Sequence, residues 1–124
     1  MKILLADDDP KIHAVMRLWL SRNDCELETA LNGREALAKL QSSRFDGLIT
    51  DINMPLMNGV ELIRAAQRLP GPPRLTIILT SRCDTAQLQE QLNASNVEFL
   101  SKPFSPAALV GLIEKLKMHP AAPE

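Results

Sequence analysis

Short apolar runs alternate with segments of helical spacing along nearly the whole chain. Residues 2–6 form a compact apolar run stopped by Asp7-Asp8-Asp9, which predicts a buried strand. Asp9-Pro10 predicts a helix start, with Asp9 as N-cap and Pro10 at the first helical position. Ile12, Val15, Met16 and Trp19 then recur at the spacing of one helical face. Residues 25–30 alternate polar and apolar, which predicts a weaker strand near a sheet edge. Asn32-Gly33 carries turn chemistry, and residues 34–41 predict a helix with Ala36, Leu37 and Leu40 inward. Residues 47–52 predict a strand delivering Asp51, and 53–59 a loop containing Pro55. Residues 60–69 predict a helix stopped by Pro70-Gly71-Pro72-Pro73. The most apolar run, 75–80, predicts a central strand. A helix over 85–92, a short strand over 98–100 and a last helix over 105–117 follow, the last with Leu109, Leu112, Ile113 and Leu116 at helical spacing.

Five strand–helix units in succession predict the α/β class. Parallel strands need crossover connections, so the helices cover both faces of a parallel sheet. At 124 residues the chain has the size of one domain and needs no disulfide or metal to fold. We place that domain at residues 1–118 and read 119–124, His119-Pro-Ala-Ala-Pro-Glu, as a tail or linker stub.

Charge removes some functions. Fourteen basic against fifteen acidic residues give a net charge of −1, which argues against nucleic-acid binding by bulk electrostatics. Cys25 and Cys83 stand far apart with no metal-binding spacing, so a zinc site and a disulfide framework are not expected and a reducing cytoplasm fits. The apolar start is too short for a secretory signal, and no apolar run approaches the ~20 residues of a membrane helix.

Open α/β sheets bind ligands at the carboxyl ends of their strands. There the predicted strands deliver Asp7 and Asp8, then Asp51, Thr80 and Lys102. Converging carboxylates repel one another and either raise a pKa or recruit a cation. Oxygen donors without His or Cys suit Mg²⁺, with Mn²⁺ as a substitute. Lys102 and Thr80 offer a positive charge and a hydroxyl to phosphoryl oxygens, which leaves Asp51 as a carboxylate nucleophile.

Four segments in order resemble the receiver domain of two-component response regulators over about residues 2–117. They are Ile3-Leu4-Leu5-Ala6-Asp7-Asp8-Asp9-Pro10, then Leu48-Ile49-Thr50-Asp51-Ile52-Asn53-Met54-Pro55-Leu56-Met57-Asn58-Gly59, then Ile77-Ile78-Leu79-Thr80-Ser81, then Phe99-Leu100-Ser101-Lys102-Pro103-Phe104. Each is weak alone; the ordered set is specific. The resemblance implies a flavodoxin-like, doubly wound (βα)5 sandwich whose five-stranded parallel sheet has the order 2-1-3-4-5. It implies Asp51 as phosphoacceptor, with Mg²⁺ held by Asp8, Asp51 and the Asn53 carbonyl and, through water, by Asp7. It implies phosphoryl contacts from Thr80 and Lys102, Phe99 as a rotamer switch, and Asn53 and Arg82 as residues tuning phosphoryl lifetime. A cis Lys102-Pro103 bond is expected on the same ground. So is a histidine kinase or phosphotransfer protein as donor, and an output domain or protein reached through the fourth predicted helix, fifth strand and last helix. A homodimer is allowed. The implied protein is a cytoplasmic signalling switch, not an enzyme beyond its own phosphorylation and dephosphorylation.

Each residue also has a plainer reading. An Asp-Asp-Asp-Pro run alone more often starts a helix than binds metal. Asp51 alone could be a turn residue, and Thr80 a strand end bonded to backbone. Phe99 and Phe104 read as partly core, Trp19 as core or partner-facing, His13 and His119 as surface residues, and Cys83 as an occasional reactive thiol. Two rival functions fit less well. A phosphatase of the haloacid-dehalogenase type would use Asp7 as nucleophile and need an acidic pair late in the chain, where only Glu114 and Glu124 follow Lys102. A flavodoxin-like binding module needs a phosphate-cradling loop after the first strand, where three aspartates would repel the ligand. Within the family, a receiver that works by docking alone would not need so complete a site.

Overall fold

The computed structural model describes residues 1–80, 90, 92, 96–102 and 105–118. In chain order they form β1 (Lys2–Ala6), α1 (Pro10–Ser21), β2 (Glu26–Ala30), α2 (Gly33–Ser42), β3 (Gly47–Asp51), α3 (Gly59–Gln67), β4 (Leu75–Thr80), β5 (Val97–Ser101) and the C-terminal helix α4 (Pro106–Met118). The five strands are all parallel, in the order β2-β1-β3-β4-β5. The predicted fold class and strand order are therefore observed. The fourth predicted helix, over 85–92, lies outside the described residues, apart from Glu90 and Leu92.

Side chains alternate across a strand, so each strand feeds two cores. One core joins Ile3, Leu5, Ile49, Ile77 and Leu79 to Met16 and Leu20 of α1 and to Leu109, Ile113 and Leu116 of α4. The other joins Leu4, Leu48 and Ile78 to Ala36 and Leu40 of α2 and to Leu62, Ile63 and Ala66 of α3. Trp19 is partly buried against the first core. Val15 departs from the expected inward face and is 38% exposed. The buried stripe of α1 runs through Met16 and Leu20, which leaves Val15 on its flank. The expectation that β4 is the central strand is also corrected. All six of its residues are buried, yet it lies between β3 and β5, and β3 holds the centre. Any strand with both faces covered reads as a continuous apolar run, so apolarity does not rank interior strands.

Local chemistry sets the helix starts. Asp9 caps α1, its side chain accepting the Lys11 N–H, with Pro10 as the first residue. Asn32, expected only to turn the chain, caps α2 by accepting the Glu35 N–H at 2.8 Å. Asn58 and Glu61 form a capping box on α3, which therefore begins at Gly59 and ends with Arg68 as C-cap, just before the proline-rich stop.

At the amino end of the sheet, Asp46 acts as a clasp. Its carboxylate accepts the Lys2 N–H at 2.7 Å and pairs with Arg74 at 2.8 Å. Its own N–H donates to the Lys2 carbonyl, and the Arg74 N–H donates to the Asp46 carbonyl. Burial alone would raise the pKa of Asp46, but the Lys2 N–H and the Arg74 guanidinium together bring it below the usual carboxylate value.

Candidate functional site

The register of the sheet assembles a site at the opposite, carboxyl end. Ala6 pairs with Thr50, so the next residues, Asp7 and Asp51, leave neighbouring strands at the same level. Asp7 continues the alternation of Ile3 and Leu5, and Asp51 that of Ile49, so both side chains emerge toward the α1–α4 face. Asp8 follows in the loop. One carboxylate oxygen from each of Asp7, Asp8 and Asp51 lies within 4.8 Å of the others. Thr80 pairs with Ser101, so Lys102 leaves β5 beside the end of β4. The Lys102 N–H donates to the Thr80 carbonyl at 2.7 Å. Its ammonium stands 3.5 Å from Asp7 Oδ2 and 3.4 Å from Asp51 Oδ2, bridging the two carboxylates.

The three carboxylates have different surroundings. Asp7 is fully buried, Asp51 is partly buried and Asp8 is exposed. Asp7 Oδ1 accepts the Asp9 N–H at 2.9 Å, while its buried Oδ2 has no hydrogen-bond partner. Burial pushes the Asp7 pKa up and the Asp51 charge adds to the rise; the Asp9 N–H and the Lys102 ammonium oppose it. Asp51 Oδ1 accepts the Ile52 N–H at 2.8 Å, leaving Oδ2 toward Lys102.

The backbone of Asp51 is held as closely as its side chain. The Thr50 hydroxyl donates to the Asp51 carbonyl at 2.9 Å. Gly59, the first residue of α3, donates its N–H to the Ile52 carbonyl at 2.9 Å. A Cβ at position 59 would overlap the Asp51 carbonyl oxygen and come within 2.9 Å of Ile52 Cα. Gly33 makes a similar approach to the next loop, where an added Cβ would sit 2.7 Å from Met57 Cβ. Between these anchors Leu56 adopts a left-handed conformation, φ 71°, with its side chain 68% exposed.

The remaining predicted residues are placed as follows. Thr80 is buried at the end of β4. It continues the alternation of Ile78, so it lies on the α2–α3 side of the sheet. Phe99, paired with Ile78, is partly buried against that same core. Asn53 is exposed in the loop after Asp51. Arg82, Cys83, Pro103, Phe104 and His119 lie outside the described residues, as does the expected cis bond.

His13 is corrected from a surface residue. It is half-buried, and its Nε2 lies 2.6 Å from the Asp7 carbonyl oxygen. No sequence signal marks this bond, because it spans six residues across a loop and a helix start. In the sequence Gly59 stands only as the end of the predicted 53–59 loop and of the second family segment. Its closeness to Asp51 depends on how α3 returns over the end of β3.

Three carboxylates against one ammonium leave excess negative charge, and the buried Asp7 Oδ2 makes no hydrogen bond and shares the Lys102 ammonium, at 3.5 Å, with Asp51, so the cluster can take further positive charge. The donors are oxygen alone, which fits a hard divalent cation such as Mg²⁺. No helix among the described residues is long and apolar enough to cross a membrane.

Comparison with known proteins gives the same direction. The family model described as response regulator receiver domain matches residues 3–114. The transcriptional regulatory protein ResD of Bacillus subtilis is 31% identical over 115 residues, covering 93% of this chain and 47% of that protein. The response regulator MprA of Mycobacterium avium is 34% identical over 116 residues, covering 94% of this chain and 50% of that one. The chain thus spans about half the length of these regulators. Among solved structures, the chemotaxis response regulator CheY4 of Vibrio cholerae superposes with a TM-score of 0.80 at 32% identity, covering 93% of this chain and 97% of its own.

Proposed function

The chain belongs to the response regulator receiver domain family, and from that premise we propose that it is a phosphorylation-dependent switch with Asp51 as phosphoacceptor. One observation carries the reading. Asp7, Asp8 and Asp51 converge within 4.8 Å, with the Lys102 ammonium bridging the carboxylates of Asp7 and Asp51.

Asp7, Asp8, Asp51 and the Asn53 carbonyl would hold Mg²⁺, which when bound supplies positive charge against the phosphoryl oxygens. A carboxylate oxygen of Asp51 attacks phosphorus in the phosphohistidine of a histidine kinase or phosphotransfer protein, or in a small phosphodonor. With phosphohistidine the new O–P bond forms as the P–N bond breaks, and the leaving imidazole nitrogen keeps the electron pair and takes up a proton; with acetyl phosphate the P–O bond to the acyl oxygen breaks and acetate leaves with the electron pair. Lys102 turns its ammonium from the carboxylates to a phosphoryl oxygen, and the Thr80 hydroxyl donates to another. Thr80 ends β4, and Phe99 lies beside it on β5 against the α2–α3 core, so movement of Thr80 toward the phosphoryl group at the strand ends is passed to Phe99. The surface of β5 and α4, with the helix that the sequence predicts before them, would then favour an output domain or protein, or a second copy of the chain. This is a population shift driven by contacts made in one state only. Asn53 and Arg82 set the lifetime of the acyl phosphate. The domain, taken as residues 1–118 with 119–124 as a tail, acts in the cytoplasm, catalyses only its own phosphorylation and dephosphorylation, and touches neither membrane nor nucleic acid directly.

The test is the position of the label. Incubation with acetyl phosphate and Mg²⁺, followed by peptide mapping of the acid-stable, base-labile phosphoryl group, should place it on Asp51. It should disappear in Asp51→Ala and form slowly in Asp7→Asn. Label on Asp7 with repeated turnover of phosphomonoesters would overturn the reading in favour of a phosphatase.

A further inference from the structure

His13 Nε2 lies 2.6 Å from the carbonyl oxygen of Asp7. A carbonyl only accepts, so this ring nitrogen carries the hydrogen and donates it. That carbonyl belongs to the peptide unit joining Asp7 to Asp8, the two carboxylates that β1 delivers to the cluster. A peptide unit is planar, so holding its oxygen also fixes the direction of the Asp8 N–H and of the Asp8 Cα. The other restraints act elsewhere. The Asp7 N–H donates to the Ala30 carbonyl at 3.1 Å, and Asp7 Oδ1 accepts the Asp9 N–H. The His13 bond therefore acts on the link between the buried carboxylate and the exposed one, and it comes from a helix packed on the core.

We infer that His13 is a positioning residue for the metal site, holding the Asp7–Asp8 peptide so that both carboxylates converge with Asp51. This rests on the proposal that the cluster binds Mg²⁺. Removal of an outer partner that orients metal ligands costs about tenfold or more in affinity. A bond that merely fastened α1 to its loop would lower stability and leave metal affinity unchanged.

The test compares Mg²⁺ affinity by calorimetry in the wild type, His13→Asn and His13→Gln, with the melting temperature of each in EDTA. The Asn amide is set back from the position of Nε2, whereas the Gln amide reaches it. Leu20→Val, which loosens the buried face of α1 away from the loop, serves as a control for stability. We expect the Kd for Mg²⁺ to rise about tenfold in His13→Asn, to return near the wild-type value in His13→Gln, and to stay unchanged in Leu20→Val. The ¹⁵N-resolved resonance of the Asp8 amide, recorded without metal, should move in His13→Asn and return in His13→Gln. Unchanged affinity in His13→Asn, or equal weakening in both His13 variants, would overturn the inference while leaving the metal site intact. Absence of saturable Mg²⁺ binding in the wild type would instead overturn the metal reading, and the inference with it.

Discussion

Gly59 packs so closely on Asp51 that even a single added carbon would overlap the Asp51 carbonyl oxygen. The contact is backbone to backbone, so no flexible side chain can yield. Gly59→Ala should therefore lower stability by about 2 kcal/mol, the scale of an overpacked core. It should also weaken Mg²⁺ binding and slow phosphorylation, because the strain falls on Asp51, the proposed acceptor. Urea unfolding and calorimetry on the same sample check both. An unchanged midpoint would mean that α3 shifts freely, contrary to its capping box and its bond to Ile52.

Asp7 gives a pH dependence with a definite sign. Its pKa is raised in the fold, chiefly by burial, so the folded state holds its proton more firmly than the unfolded chain. Between the ordinary value of 3.8 and that raised value, its contribution to stability falls as pH rises. Asp46 acts oppositely. Its lowered pKa contributes stability above 3.8, and that contribution is lost as pH falls through the lowered value. Asp7→Asn should thus be more stable than wild type at neutral pH without metal and melt at a higher temperature. Its Asn oxygen can still accept the Asp9 N–H. The gain should vanish below pH 3.8, where both proteins are uncharged at this position. Denaturation across a pH series, with EDTA present, tests the sign directly.

Removal of charge at Asp51, the proposed acceptor, should act in the same direction. Asp51→Asn relieves the repulsion among the three carboxylates and should raise the metal-free Tm while Mg²⁺ no longer stabilises the protein. A clear fall in Tm in this variant would contradict the clustering.

Leu56 offers a test away from the carboxylates. Its left-handed backbone costs a residue with a Cβ about 1 kcal/mol, and its side chain, 68% exposed, loses little burial when removed. Leu56→Gly should stabilise the protein by about 0.5 kcal/mol after the greater freedom of glycine in the unfolded chain is subtracted. Leu56→Ala keeps the Cβ and should give no gain. Equal effects in both variants would remove backbone strain as the cause.

The elements and the chemistry were legible in the sequence to different depths. Apolar spacing located the strands, and Asp9-Pro10 marked the start of α1, because these signals are local. The convergence of Asp7, Asp51 and Lys102 was legible from their places at the carboxyl ends of predicted parallel strands, whereas the strand order that makes them neighbours was read through resemblance. What escaped depends on tertiary geometry. Val15 fits the helical repeat of α1, but only packing decides which flank of a stripe meets the sheet. β4 looked central because interior strands all look alike. His13 looked like a surface residue because its partner is a backbone carbonyl, which has no letter of its own in a sequence.

The Asp46 clasp and the carboxylate cluster lie at opposite ends of the same parallel strands. Asp46→Ala removes the acceptor of both the Lys2 N–H and the Arg74 guanidinium and should cost about 1 kcal/mol, with Mg²⁺ affinity unchanged. Asp7 and Asp51 should do the reverse, giving firmer folds and silent sites when neutralised. In a library of random variants, tolerance would then sort by depth along the strands. Selection for robustness alone would strengthen one end and erase the other. Selection for signalling would have to retain the unfavourable charges and recover the lost stability at the amino end.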